Sequence, residues 1–365
     1  MRKNILFING RLPIPLNIGG DGDSIHSVLK AFMKLGFTVE SHNVVNKYFE
    51  PNTFEKAITQ LDEKEIKFEI NNECLTATYS NGYPVTIHKD IDLNSFLDQY
   101  LKNEPDTFIF TQLDLSREVL DYSLPRNIPT VVFVRDIQRN NFLTLEKIIN
   151  SKTKNVHMVF NSNFTRDNFK EIEKYINTSV MFPPIDTKKF NIKAENPKYI
   201  TVINPVKDKG GNLLVELAKK MPEYRFLAVK GWYDPVKDNI DLDSLKNIKV
   251  WERQDDITKA YKNTKLLLVP SQIEEGFGRV AAEGLVCKIP VIASYNAGLK
   301  DALGDIGYYV NDFKSVEAWT KKIKEVLALD EKELQKHLEA GKNYAMKFDS
   351  EHQAKHLAKH IKRLV

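Results

Sequence analysis

Cysteine is nearly absent from this chain of 365 residues, which holds only Cys74 and Cys287. That excludes a disulfide scaffold and suits a reducing compartment. Long apolar runs are lacking too: none approaches the roughly 20 residues needed to span a bilayer. The opening MRKNILFING has a short apolar stretch and no small-residue cleavage site after it, so it reads as the first strand of a cytoplasmic protein. An excess of charge of either sign is missing as well. Fifty-three basic residues against forty-nine acidic leave +4, too little to argue for nucleic acid. That balance is compatible with an anionic small molecule or a weak contact with a membrane surface. No internal repeat or low-complexity tract is evident. What remains is the composition of a soluble globular protein, longer than one core usually grows, hence two domains.

The order of patterns supports that division. Ile5–Ile8 is a short apolar run; after a loop rich in Pro and Gly, helical spacing runs from Ser24 to Leu35 through Ile25, Val28, Leu29 and Phe32. Gly36 ends that helix and Thr38-Val39 begins another strand, so the chain opens as a parallel α/β sheet. Residues 50–90 alternate around Asn71-Asn72 and Asn81-Gly82, which predicts an excursion of antiparallel hairpins. Strands at 107–110, 130–134 and 156–160 follow, with helices near 143–150 and from Asn163. Two prolines in Met181-Phe182-Pro183-Pro184-Ile185-Asp186 then break the pattern and mark a linker. A second series places strands at 199–203, 226–229, 248–250, 266–269 and 291–293, and from about Val316 the chain is almost all helical. The expected fold is therefore α/β, with two doubly wound Rossmann-like domains, residues 1–185 and 186–349. Such sheets bind ligands at the carboxyl ends of their strands.

Three glycine-rich turns lead into helices. In SQIEEGFGRVAAEGLVCKIPVIAS, residues 271–294, a strand runs through a loop into Gly276-Phe277-Gly278 and a helix from about Arg279. Glycines let backbone N–H groups approach a ligand closely, and a helix N-terminus favours negative charge. Glu275 precedes the turn and Glu283 follows eight positions later. Carboxylates suit hydroxyls, so two of them around an anion-binding turn suit a ligand with a charged middle and hydroxylated ends: a sugar nucleotide. For either glutamate alone, solvation or an i,i+4 pair between Glu283 and Arg279 is the commoner outcome. The second turn follows a strand as Asn204-Pro205-Val206-Lys207-Asp208-Lys209-Gly210-Gly211, a plausible diphosphate cradle in which Lys209 is better placed than Lys207. The third, residues 17–23, contains Gly19 and Gly20 and is weak evidence alone.

These residues together resemble the E-x7-E signature of retaining GT-B glycosyltransferases, those of group 1. Glu275 to Glu283 carries the signature, and the resemblance extends over nearly the whole chain. Gly19-Gly20 is similar to the family's first-loop glycine pair, Asn161-Ser162-Asn163-Phe164 to its N-S-x-F segment, Phe182–Asp186 to its linker, and Lys209-Gly210 to its donor-phosphate site. The resemblance implies that Glu275 contacts donor-sugar hydroxyls and Glu283 the ribose. It further implies that Gly276, Phe277, Gly278 and Arg279 lie against sugar and diphosphate, that Lys209 neutralises the diphosphate, and that Gly19-Gly20 approach it from the other domain. It implies a last helix, about 350–365, crossing back to the N-terminal domain, retention of anomeric configuration, and no metal or other cofactor beyond the nucleotide-sugar co-substrate. Two positions depart from the pattern. Asn204 stands where an Arg is usual, and Arg135-Asp136 where a His is common. Arg135 is the expected replacement for the missing guanidinium, and Asp136 a candidate to orient sugar or acceptor.

Other features are read more plainly. His352, His356 and His360 recur on one helical face, but neighbouring lysines favour a basic amphipathic helix over a zinc site. Trp232 and Tyr233 read as packing or cleft wall. The acceptor, a glycan, lipid or small molecule, is expected to meet the irregular region 50–90, which has no motif. A sugar-nucleotide epimerase of the same architecture and a non-catalytic sugar-binding protein stay open as alternatives.

Overall fold

A computed structural model describes residues 4–16, 20–45, 52–72, 75–112, 116–152, 154–231 and 235–361. The chain divides into two compact units, residues 1–184 with 350–365, and residues 185–349.

The first unit is built on strands β1 (Asn4–Asn9), β2 (Thr38–Val44), β3 (Phe68–Asn71), β4 (Thr76–Ser80), β5 (Pro84–His88), β6 (Thr107–Gln112), β7 (Thr130–Val134), β8 (Val156–Phe160) and β9 (Asn177–Val180). They lie in the order β3-β4-β5-β2-β1-β6-β7-β8-β9. Strands β6 and β7 are buried along their whole length, and β1 all but its first residue. Strands covered on both faces must read as continuous apolar runs, and these do. Helices α1 (Gly20–Lys34), α2 (Thr53–Glu63), α3 (Leu93–Asn103), α4 (Ser116–Ser123), α5 (Arg139–Ser151) and α6 (Asn163–Asn168) supply the cover. One face packs Phe7, Phe108 and Phe110 with Leu29 and Phe32 of α1. The other packs Leu6, Ile8 and Ile109 with Leu97 of α3 and Val119 of α4. The chain's last helix, Ser350–Ile361, adds Ala354 and Leu357 to the α1 side, where Lys34 also donates to Glu351 at 2.7 Å.

Three local expectations change. Residues 53–63 are helical, because Phe54, Ala57 and Leu61 form one buried stripe at helical spacing; antiparallel pairing is confined to β3, β4 and β5. Helix α1 begins at Gly20, so Gly20 to Asp23 form its first turn instead of a loop. Strand β9, NTSV, is a polar edge strand without an apolar run to announce it.

The second unit is an all-parallel sheet of β10 (Tyr199–Ile203), β11 (Phe226–Val229), β12 (Ile248–Trp251), β13 (Thr264–Val269), β14 (Val291–Ser294) and β15 (Tyr308–Val310), ordered β12-β11-β10-β13-β14-β15. Helices α7 (Gly211–Lys220), α8 (Thr258–Tyr261), α9 (Arg279–Val286), α10 (Leu299–Leu303), α11 (Val316–Leu327) and α12 (Glu331–Ala345) accompany it, and the last helix is α13. Leu214 and Leu217 of α7 and Trp319 and Ile323 of α11 pack on Val202, Leu266 and Leu268. Gly284 of α9 sits so close to Leu267 and Val291 that a Cβ there would lie 2.6 and 2.8 Å from their side chains. The unit boundary is visible in bonding. Met181 belongs to the first core, whereas Ile185 N–H donates to the Phe348 carbonyl at 2.9 Å and Thr187 Oγ1 to Asp349 at 2.6 Å within the second.

Each strand order reverses once at its centre, between β1 and β6 in the first unit and between β10 and β13 in the second. Successive connections leave such a point in opposite directions, which opens a crevice at the carboxyl ends of those two strands.

Candidate functional site

The segments that follow β10 and β13 hold most of the residues singled out in the sequence. After β10, Asn204 adopts left-handed backbone (φ 55°), a 3-10 turn covers Lys207–Lys209, and Gly210 (φ +79°) starts α7. After β13 the chain passes Ser271 and Glu275 and reaches Gly278 (φ +93°), which starts α9. Neither helix has a side chain capping its N-terminus. Two helix starts thus flank the switch point, where the helix dipoles favour an anion, although the Gly211 N–H itself donates to the Val206 carbonyl at 2.9 Å. Glycine is required at both. A Cβ at 210 would stand 2.4 Å from the Pro270 carbonyl oxygen, and one at 278 would stand 2.3 Å from Leu299.

The two loops are joined by charge. Lys209 Nζ donates to Glu275 Oε1, and Ser271 Oγ donates to the same oxygen. Lys209 is half-buried while Lys207 is exposed. Lys207 contributes instead through its backbone N–H, held by Asp238 at 2.8 Å. The turn is tied down by Gly298, whose N–H donates to the Glu275 carbonyl at 2.9 Å and where a Cβ would lie 2.2 Å from the Gly276 carbonyl oxygen. Phe277 is buried and meets Phe348 edge to face at 5.1 Å, so its side chain anchors the loop from below.

Glu283 has a different environment. Arg279 Nε donates to its Oε1 at 2.6 Å and Tyr261 O–H to its Oε2 at 2.7 Å, all three side chains being buried or nearly so. The i,i+4 pair weighed for Glu283 and Arg279 therefore forms. Each oxygen keeps further lone pairs for a hydroxyl. Burial first, then the Glu283 charge, drives the Tyr261 hydroxyl well above its ordinary pKa, and burial with the same charge raises the Cys287 thiol. Both stay protonated, and Tyr261 donates to the carboxylate.

Asn204 N–H donates to the Val229 carbonyl at 2.7 Å, while its Oδ1 is buried without a partner. Gly231 leaves room for that side chain, since a Cβ there would lie 2.3 Å from Oδ1. Sequence reasoning missed Ser271, Tyr261 and Gly298. Tyr261 lies 22 residues before its partner, and nothing local in the sequence announces it.

In the first unit, Arg135 follows β7. Its Nη1 donates to Gln112 Oε1 at 3.2 Å, and its carbonyl accepts from Asn161 Nδ2 at 2.7 Å. Asp136 Oδ1 accepts the Gln138 N–H at 3.0 Å and so shapes the turn into α5. The Asn161-Ser162 pair acts as a cap: Ser162 Oγ accepts the Thr165 N–H at 2.9 Å, and Thr165 Oγ1 donates to Asn161 at 2.7 Å. Gly20 is the first residue of α1; Gly19, Trp232 and Tyr233 lie outside the described residues. His356 and His360 contact one another, and His360 stacks on His157. Among the described residues no group of three His, Cys, Asp or Glu side chains could hold a metal ion, and no helix is long and apolar enough to cross a membrane.

Residues 184–344 match the family described as glycosyl transferases group 1. An uncharacterized glycosyltransferase of Methanocaldococcus jannaschii is 30% identical over 152 residues, 40% of this chain and 42% of that protein, so the aligned segment spans less than half of the relative. Among solved structures, HepE of Anabaena in complex with UDP and glucose superposes with a TM-score of 0.72 at 16% identity, over 99% of this chain and 100% of that one. Sucrose-phosphate synthase of Thermosynechococcus elongatus gives 0.72 at 16%, over 100% and 99%. A glycosyltransferase of Rickettsia africae gives 0.70 at 17%, over 100% and 98%. The fold is thus GT-B, and residues 184–344 are similar to the glycosyl transferases of group 1.

Proposed function

We propose that the protein transfers a sugar from a nucleoside-diphosphate donor to an acceptor hydroxyl, with retention of anomeric configuration and without an essential metal. The observation that carries this reading is the Lys209–Glu275 pair at the β10/β13 switch point, between the starts of α7 and α9. HepE structures with UDP and UDP-glucose support the same donor class here.

In the reaction the bond from the anomeric carbon to the diphosphate oxygen breaks, and its electron pair leaves with the diphosphate. Lys209 exchanges its carboxylate partner for that oxygen, and the N–H groups at the start of α9 add fixed positive charge that needs no reorganisation. Glu275, relieved of the ammonium, accepts hydrogen bonds from sugar hydroxyls. Glu283, held by Arg279 and Tyr261, accepts from the ribose. The acceptor oxygen bonds to the anomeric carbon on the face the diphosphate leaves, and its proton passes to the departing phosphate. Gly19, Gly20, Arg135 and Asp136 keep the roles the resemblance implies. A cytoplasmic location belongs to the same reading, supported by the scarcity of thiols, with Cys287 buried and unpaired.

The test is a panel of nucleotide sugars incubated with and without acceptor pools. The reading expects acceptor-dependent release of free nucleoside diphosphate and an unchanged anomeric configuration by NMR. A changed sugar on an intact nucleotide would identify an epimerase, and binding without turnover would identify a sugar-binding protein.

A further inference from the structure

The sheet of the first unit ends on one side at β3, whose outer side pairs with no described strand. A free edge offers a row of N–H and C=O groups to any extended chain, and proteins usually blunt it with proline, a bulge or charge. The short polar β9 closes the other end of that sheet, and β12, at one end of the second sheet, carries the exposed Lys249. Strand β3 lacks proline, and its Ile70 is 47% exposed.

The strand has two unlike faces. Ile66 and Phe68 pack on the first unit's core, and Ala77 and Tyr79, the β4 partners of Ile70 and Phe68, are buried in it. Side chains alternate along extended chain, so Ile66, Phe68 and Ile70 share the core face while Lys67 and Glu69, both exposed, project from the other. Among the described residues neither Lys67 nor Glu69 has a hydrogen-bond or ion-pair partner. Glu65 takes left-handed backbone (φ 54°), so the chain available for pairing starts at Ile66.

The segment Ile66-Lys67-Phe68-Glu69-Ile70 is complementary to itself. When two copies run antiparallel with the centre at Phe68, Phe68 meets Phe68, Ile66 meets Ile70, and Lys67 meets Glu69 on both sides of the centre. Opposite charges placed across two strands stabilise them, and like charges destabilise them. A centre at Glu69 sets two carboxylates against each other. A centre between Phe68 and Glu69 sets Ile70 opposite Lys67 and breaks the apolar face. A centre at Ile70 leaves both charges unmatched. One register satisfies both faces.

We propose that β3 is a homodimer contact, in which a second copy of this chain pairs antiparallel with it about a two-fold axis at Phe68 and joins the two sheets into one. A two-fold contact requires one patch to match itself, which this segment does. The alternating charges guard the edge against other strands and admit this one. Five residues a side fall well short of the roughly 20–30 of a standard interface, so the dimer is a reversible one.

The experiment is analytical ultracentrifugation of the full chain over a concentration series reaching about 0.5 mM, where contacts weaker than micromolar are populated. The wild type is run beside Lys67→Glu, Glu69→Lys and an equimolar mixture of the two variants. The wild type should show a monomer–dimer equilibrium. Each variant alone sets like charges opposite each other twice and should weaken the dimer about tenfold. In the mixture every reversed charge meets its opposite, so the dimer constant should return toward that of the wild type. Because both positions are exposed, Tm and circular dichroism should match the wild type in each variant. A wild type that stays monomeric throughout the series overturns the proposal. So does a dimer that neither variant weakens, or a mixture that dissociates as readily as the single variants.

Discussion

Lys209 and Glu275, 66 residues apart in sequence, form an ion pair that closes the gap between the β10 and β13 loops. The resemblance implies a different part of a donor for each, the diphosphate for Lys209 and the sugar hydroxyls for Glu275. In the proposed donor site, a diphosphate would take Lys209 away from Glu275 and so free the carboxylate for the sugar.

Replacing Lys209 by Ala should lower kcat by about 10²–10³, the usual effect of removing one preorganised charge donor at a leaving group. Steady-state kinetics on the donor that turns over would show it. A loss below tenfold contradicts the role given to Lys209.

Glu283 should be separable from Glu275 by stability. Arg279→Ala leaves a nearly buried carboxylate without its charge partner and should cost about 3–5 kcal/mol. Tyr261→Phe removes one hydrogen bond to that carboxylate and should cost about 1.5–3 kcal/mol. Urea melts of the two variants measure this, and equal, negligible losses would show that the triad does not hold α9.

Gly210→Ala places a methyl 2.4 Å from the Pro270 carbonyl oxygen at a left-handed backbone position. The strain should be on the order of 1–3 kcal/mol. Because Gly210 precedes the start of α7, nucleotide affinity should fall along with Tm. A variant melting like the wild type with intact affinity would show that the two loops do not need this close approach.

Two buried imidazoles predict an acid limit. Burial, reinforced by His42, pulls His88 down to about 3, and burial with His360 pulls His157 down to about 4. Unfolded, both take a proton near pH 6.5. Below that pH the unfolded chain therefore binds more protons than the folded one. The stabilisation is complete above pH 6.5 and is lost as pH falls toward 4. His157→Gln, which can still bond Ser179, should flatten the dependence of Tm on pH in that interval. An unchanged slope would mean that His157 is already charged in the folded state.

Much of the fold was legible because its central strands are covered on both faces and read as unbroken apolar runs. The helix 53–63 was not: its stripe of Phe54, Ala57 and Leu61 is short and merges into the alternation of the hairpins after it. Edge strands β9 and β15 carry too few apolar residues to stand out. At the site, Lys209, Glu275 and the glycines were legible because each loop is a local pattern between a strand and a helix. The bonds among Ser271, Tyr261 and their glutamates were not, since tertiary folding alone brings Tyr261 to Glu283.

Arg135→Ala addresses the departure at Asn204. If the guanidinium substitutes for the usual arginine, the variant should raise donor KM and lower kcat together, by about tenfold or more for a charged hydrogen bond. Donor constants equal to the wild type leave Arg135 as support for Gln112 alone.

The central claim, that the β10/β13 switch point is a nucleoside-diphosphate site, is tested most directly by calorimetric titration of UDP, GDP, ADP and dTDP into the wild type and Lys209→Ala. The account predicts saturable binding of at least one of the four to the wild type, weakened about tenfold or more in the variant. No binding by any of them, or equal affinity in both proteins, would contradict it.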